Sequence, residues 1–256
     1  MASLINSPLK HYVYPQYRLL VFAKAPVLGA AKTRMQPLLP PEFSLALHVQ
    51  LLKTVLAQWT EAAVCPIDCW IAGDEAPFIE TIIKVSVPYL KTRPLYQQRG
   101  CNLGERLSRA IETTFVHASH SGTTTDATTD ATIPARKDVE GVFVVGTDCP
   151  ALSAQYLETA CLMLTQYDAV IGPAEDGGYV LLGLKAPNSA LFEDIEWGGN
   201  LVLEQTLSKI RQLNLSYFEM PTLADIDHPE DLIKLQGLEA FSDLLATAQA
   251  LAGQQH

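Results

Sequence analysis

The stretch Gly141-Val-Phe-Val-Val-Gly-Thr-Asp148-Cys-Pro150 constrains the fold of this chain more than any other. A short apolar run leads into an acidic residue, and Pro150 then prevents the strand from continuing. An apolar run bounded by turn residues reads as a strand buried on both faces, the habit of parallel sheets covered by helices. In open α/β sheets, ligands sit beyond the carboxyl ends of the strands. The pattern therefore delivers Asp148 to the place where such proteins do chemistry, and a carboxylate there suits a hard divalent cation holding a phosphate. The bland alternative is a surface carboxylate in a strand-to-helix loop. The choice depends on what else can join it.

Comparable strand-like runs fall at 18–23, 67–72, 95–98, 168–172, 180–184 and 215–220. Helical patterns alternate with them. Pro40 and Pro41 introduce one, with Phe43, Leu47, Leu51, Leu52, Val55 and Trp59 at helical spacing. A short helix is expected around 76–84, and Asn102-Leu-Gly-Glu105 reads as a capping box that starts a helix running to about 117. Ser153 caps a helix through 165, residues 200–212 are amphipathic, Pro229 marks a first turn, and the last helical stretch runs to about 251. Alternating strands and helices predict a single α/β domain with a mostly parallel, mixed sheet sandwiched by helices. The domain is expected to span 17–252, behind a flexible leader at 1–16. Residues 118–138 repeat Thr-Asp-Ala-Thr and carry few apolar residues, so they read as a low-complexity insertion.

No apolar stretch approaches the roughly 20 residues that cross a bilayer, and no secretory pattern opens the chain, so a cytoplasmic protein with no integral membrane segment is expected. Five scattered cysteines make no disulfide framework, and the Cys65-to-Cys69 spacing lacks the second pair a zinc site needs. A net charge of −10 argues against nucleic acid as partner. Charge is unevenly spread, however. Residues 1–41 hold no Asp or Glu but carry Lys10, Arg18, Lys24, Lys32 and Arg34, which favours an anionic small molecule.

Within that segment, Gly29-Ala-Ala-Lys32-Thr33 is not a Walker loop, because Pro26 and Ala31 stand where its two glycines belong. The loop still joins the first strand to the first helix, where Lys24, Lys32 and Arg34 can grip phosphate. Asp148 needs a partner. Asp225 and Asp227, two apart, point the same way if their segment is extended, and either can meet Asp148 across the sheet's carboxyl edge. His228 reads better as a helix-start residue than as a ligand. Asp176-Gly177-Gly178-Tyr179 sets a carboxylate and an aromatic ring beside bare backbone, and it is also a hairpin-turn signal. Trp197, ahead of Gly198-Gly199, reads as a ring to stack on a sugar or base, or as a core residue.

Lys24-Ala25-Pro26, Gly29, Lys32-Thr-Arg34, Gln98, Gly100, Leu103-Gly104-Glu-Arg106, Gly146-Thr147-Asp148-Cys-Pro150, Asp176-Gly-Gly-Tyr179 and Asp225-Ile-Asp227 with Glu230-Asp231 follow one another in a familiar order. The chain resembles the glycosyltransferase-A-like family labelled rSAM/selenodomain-associated transferase 1, over about 18–236 without the insertion. The resemblance implies a nucleotide-diphospho-sugar transferase fold. It implies a divalent metal, Mg²⁺ or Mn²⁺, on Asp148 with Asp227 as a second ligand, and phosphates handled by the early basic loop. Gly104, Arg106 and Thr147 match positions beside the nucleotide. Two departures stand out: the first loop lacks a Gly-Gly-rich cradle, and Gly198-Gly199 replaces the Ser-Thr expected after the Trp.

The expected activity is metal-dependent transfer from an activated nucleotide, most readily a nucleotide sugar, to a small-molecule acceptor. Asp176 would orient the acceptor or serve as base. Nucleotidyl transfer from an NTP with pyrophosphate release is the alternative, followed by a non-catalytic nucleotide-binding module. A Cys149 nucleophile lacks a His–Asp pair placed to activate it.

Overall fold

The computed structural model describes residues 11–83, 95–119 and 139–253. Residues 1–10 of the expected leader and 120–138 of the expected insertion lie outside the described residues. Seven strands form one sheet: β1 (Tyr17–Lys24), β2 (Ile67–Ala72), β3 (Leu95–Gln97), β4 (Gly141–Val145), β5 (Ala169–Pro173), β6 (Tyr179–Leu184) and β7 (Tyr217–Glu219). Their order across the sheet is β3-β2-β1-β4-β6-β5-β7. β6 runs antiparallel to β4 and β5, while the remaining pairings are parallel.

The pleat sends alternate residues to opposite faces. Leu19, Val21 and Ala23 of β1, with Phe143 and Val145 of β4, pack against α1 (Pro41–Ala62) and α4 (Ala154–Gln166). Leu20, Val142 and Val144 face the other way, toward α3 (Leu103–Ser119) and α5 (Val202–Gln212). Continuous apolar strands are thus explained by helices on both faces. A third cluster joins Leu47 and Leu51 of α1 to Met35, Ile226, Leu235 and Phe241, under α6 (Ser242–Gly253).

Local signals set most boundaries. Pro41 opens α1 at a position that needs no amide donor, and Ser153 accepts from the Tyr156 N–H at 3.1 Å to start α4. Asn102 caps α3 through the Glu105 N–H at 2.9 Å, but Glu105 reaches back to the Cys101 N–H, one residue before the position a capping box assigns. The expected helix around 76–84 is one turn, α2 (Glu75–Phe78), followed by a π-turn at Ile79–Ile83, and Pro229–Leu235 winds as 3₁₀. Within the expected leader, Val13 and Tyr14 donate to the carbonyls of Ala63 and Val64, and Tyr14 stacks on Tyr17. These contacts hold residues 13–14 against the end of α1.

Chain order reverses between β1 and β4, neighbours in the sheet, and the crevice at such a switch is where α/β sheets bind ligands. Lys24 ends β1 there, and Asp148 follows β4. The segment after β7 is stitched to the same edge. Met220 donates to Ile171 at 2.8 Å, Leu223 to Pro173 at 3.0 Å, and Ile226 to the Asp148 carbonyl at 2.9 Å. The Tyr156 hydroxyl donates to Pro221 at 2.9 Å, from the α4 side. Buried Ile226 anchors the strip that carries Asp225 and Asp227. Tyr156→Phe removes one of these stitches and should lower stability by about 1 kcal/mol. Urea unfolding reads this as a lower midpoint at unchanged slope, and an unchanged midpoint would show that the hydroxyl contributes nothing.

Candidate active site

The first loop turns inward at Lys32, a non-glycine residue in the left-handed region at φ 49°, where β-carbon crowding costs roughly 1–2 kcal/mol. Its side chain is only 3% exposed. The ammonium donates to the Ile226 carbonyl and to Asp227 Oδ1 at 3.1 Å, and lies 2.9 Å from Asp148 Oδ1. That last contact is an ion pair off the hydrogen-bonding direction, so buried Asp148 Oδ1 has no aligned donor. Arg34 NH1 donates to Asp227 Oδ2 at 2.8 Å. Asp227 therefore holds one cation on each oxygen. Burial alone would raise its carboxyl, but Lys32 and Arg34 outweigh that and hold it below the ordinary carboxylate range.

The closing Asp-Ile-Asp-His-Pro-Glu-Asp stretch has a plain mechanical reason. Asp231 Oδ2 accepts from the N–H groups of Asp227 at 2.9 Å and His228 at 2.7 Å. Lys234 pairs with Asp231 at 2.9 Å and with Glu175 at 2.8 Å, tying this turn to the end of β5. His228 is exposed at the start of the 3₁₀ turn.

A cavity of about 520 Å³ opens here, within the roughly 300–1,000 Å³ usual for ligand sites. Lys24, Lys32, Arg34, Asp148 and Asp227 line it, with Arg106 and Thr147 beside them. Asp176, Gly178, Tyr179 and Trp197 line it as well. Six residues singled out in the sequence do not line it. Ala25 and Pro26 are buried behind the loop, and Gly29 is exposed on it at φ 76°. Gly104 and Gly177 act through their size: a β-carbon would come 2.6 Å from Trp197 Nε1 at Gly104, and 2.0 Å from the Asn200 carbonyl oxygen at Gly177. Asp225 stands outside the lining. Burial, then Asp176 and Asp227, push its carboxyl up to about 6.

Asp176 sits in the β5–β6 hairpin turn and accepts from the Gly178 N–H at 2.8 Å. The turn reading and the cavity reading thus hold together. Trp197 stacks on Phe192 with centroids 6.4 Å apart, while lining the cavity. Tyr179 lines the cavity too, with its hydroxyl buried beside Thr206 of α5. Burial pushes the Cys149 thiol up to about 11, which removes the thiolate a nucleophile needs.

The sequence reading passed over His48. It is buried on α1, its Nε2 lies 3.1 Å from the Lys24 carbonyl, and its ring lines the cavity. A carbonyl only accepts, so Nε2 carries the proton and Nδ1 is left as an acceptor. Burial lowers its pKa, with nearby Asp148 opposing. The available signal was Ser44 and His48, one turn apart, both on the face that periodicity assigns to the interior.

The donor set fits a magnesium-like cation. Asp148 and Asp227 offer hard oxygens that approach one ammonium from two sides, Asp148 remains 41% exposed, and its Oδ1 lacks an aligned donor. Among the described residues no cluster of three or more His, Cys, Asp or Glu could hold a metal. One or two carboxylates completed by substrate phosphates is how Mg²⁺ is usually bound.

The model of the family described as "Uncharacterized protein conserved in bacteria (DUF2064)" matches residues 55–199. The chain belongs to this family. No curated protein matches it. A candidate nucleotide-diphospho-sugar transferase from Desulfovibrio desulfuricans G20 is 23% identical, covering 94% of this chain and 98% of that chain at a TM-score of 0.73. A CMP:2-keto-3-deoxy-manno-octonic acid synthetase complexed with CTP is 11% identical, covering 88% and 98%, at a TM-score of 0.50. These likenesses are of fold, and this DUF2064 member has the nucleotide-diphospho-sugar transferase fold expected from its motifs. No helix among the described residues is long and apolar enough to cross a membrane.

The Asp225 environment sets a pH dependence. Its folded pKa lies above the unfolded value of about 3.9, so the fold favours the neutral acid, and the cost of ionising it grows as pH rises from about 4 to about 6. Asp225→Asn should therefore gain on the order of 1–2 kcal/mol at pH 7.5, allowing for partial solvent screening, and nothing below pH 4. Denaturation of both proteins across pH 3.5–8 measures it. A pH-independent difference contradicts the burial argument.

Proposed function

We propose that the protein is a metal-dependent transferase that takes a nucleotide diphospho-sugar and passes the sugar to a small-molecule acceptor. The observation that carries this reading is the meeting of Asp148, Asp227, Lys32 and Arg34 in one cavity at the β1–β4 switch. Asp148 and Asp227 would hold the metal, which when bound neutralises the diphosphate and stabilises it as a leaving group. Lys24, Lys32 and Arg34 supply positive charge along the phosphates, worth most where water is excluded. Arg106 and Thr147 border the nucleotide.

Beyond the phosphates, Asp176, the Tyr179 ring and Trp197 form a wall suited to a sugar and its acceptor. Asp176 is exposed, and its Oδ1 already accepts from Gly178. Its second oxygen is then the one to orient an acceptor hydroxyl or take its proton. The absence of a glycine cradle in the first loop favours a diphosphate donor over attack on an NTP α-phosphate.

Asp148→Ala should abolish Mn²⁺-dependent nucleotide binding while the protein stays folded. Calorimetry with a nucleotide panel and circular dichroism on the same samples check this. A variant that binds nucleotide and metal normally places the site elsewhere. Product analysis with Mn²⁺ and the same panel then separates the chemistries. Release of a nucleoside diphosphate supports sugar transfer, release of pyrophosphate from an NTP replaces it with nucleotidyl transfer, and tight binding without product leaves a binding module.

A further inference from the structure

The most unusual group in the site is the Lys32 ammonium. It is nearly fully buried, reached through a left-handed backbone, and surrounded by the Ile226 carbonyl, Asp227 and Asp148. It lies between the two carboxylates that a metal would use. Arg34 covers the other Asp227 oxygen. Two acids thus face two cations, and the group is neutral before any ligand arrives.

That balance decides what can enter. A divalent cation entering alone would bring two positive charges into a half-buried group that is already neutral. It would also have to displace a buried ammonium that donates to the Ile226 carbonyl and to Asp227, with Asp148 paired beside it. Both effects are unfavourable where charges are poorly solvated. A metal that arrives with a diphosphate brings its own negative charge. The phosphate oxygens can then accept from Lys32 and Arg34, which frees carboxylate oxygens for the metal.

We propose that Lys32 is a resident counter-ion that reserves the Asp148–Asp227 pair, so that the site takes a divalent cation together with a nucleoside diphosphate group and not the cation alone. Lys32 exchanges partners as the ligand enters, from carboxylate to phosphate, and Ile226 keeps its loop in register through the backbone. Lys32 is then a sensor of ligand composition as well as a source of charge. The inference rests on the transferase reading above.

The test is Mn²⁺ binding to the full chain, followed by the electron-spin resonance of free Mn²⁺, for wild type, Lys32→Met and Lys32→Arg. Each is titrated with and without a panel of nucleoside diphosphates. Without nucleotide, Lys32→Met should bind Mn²⁺ roughly tenfold or more tightly than wild type, because the competing cation is gone. Lys32→Arg, which keeps the charge, should remain weak. Wild type should bind Mn²⁺ tightly once the nucleotide is present. Equal affinity of wild type and Lys32→Met for Mn²⁺ alone overturns the proposal and leaves the transferase reading standing. If no nucleoside diphosphate binds under any condition, the transferase reading fails and the proposal falls with it. Should Lys32→Met not fold, the Lys32 Nζ resonance of wild type decides. It should be unmoved by Mg²⁺ alone and shifted by Mg²⁺ with nucleotide, and either opposite result overturns the proposal.

Discussion

Everything at this site depends on one buried ammonium. Lys32 touches a carboxylate from the end of the central strand and another from the closing strip, 195 residues away in sequence from Lys32 itself. Burying a charge is tolerated when it is paired and hydrogen-bonded, and here the pairing also fixes three distant segments to one another. The rest of the fold can be seen as the means of bringing them together. The β1–β4 neighbourhood supplies Lys24 and Asp148, and the ladder from Met220 to Ile226 returns the chain to the same edge.

The support around this contact is graded by burial. Ile226 sits in the apolar cluster under α6, so the strip carrying Asp227 cannot slide without opening that cluster. Asp231 then fixes the backbone on the far side of Asp227, and Lys234 fixes Asp231. Arg34, by contrast, is 49% exposed and pairs with a carboxylate it is free to leave. A rigid carboxylate frame with one buried and one exposed cation is well suited to a ligand that supplies phosphate.

Much of this was legible in the sequence, for reasons that are physical. Uniform apolar runs closed by Gly, Asp or Pro identify strands covered on both faces, and the position of Asp148 follows from where such strands end. The acid-free first 41 residues identified the basic loop. What the residues did not disclose was pairing. Lys32 and Arg34 read as free cations awaiting phosphate, whereas each already holds Asp227, a contact no local pattern encodes. Which of Asp225 and Asp227 lines the cavity was equally hidden, because it depends on how the chain runs on either side of buried Ile226. His48 escaped notice because a polar residue on an apolar helix face looks like packing until the Lys24 carbonyl and the cavity are seen beside it. Gly177 was read as bare backbone beside a ligand and Gly104 as a position beside the nucleotide, but their immediate neighbours are Asn200 and Trp197 of the same chain.

The most direct measurement is a crystal structure with a nucleoside diphosphate and Mn²⁺, the metal located by its anomalous scattering. The account predicts one Mn²⁺ peak between Asp148, Asp227 and the phosphates, with Lys32 turned onto a phosphate oxygen. A metal bound elsewhere, or a nucleotide seated with Lys32 still closed on both carboxylates, would contradict it.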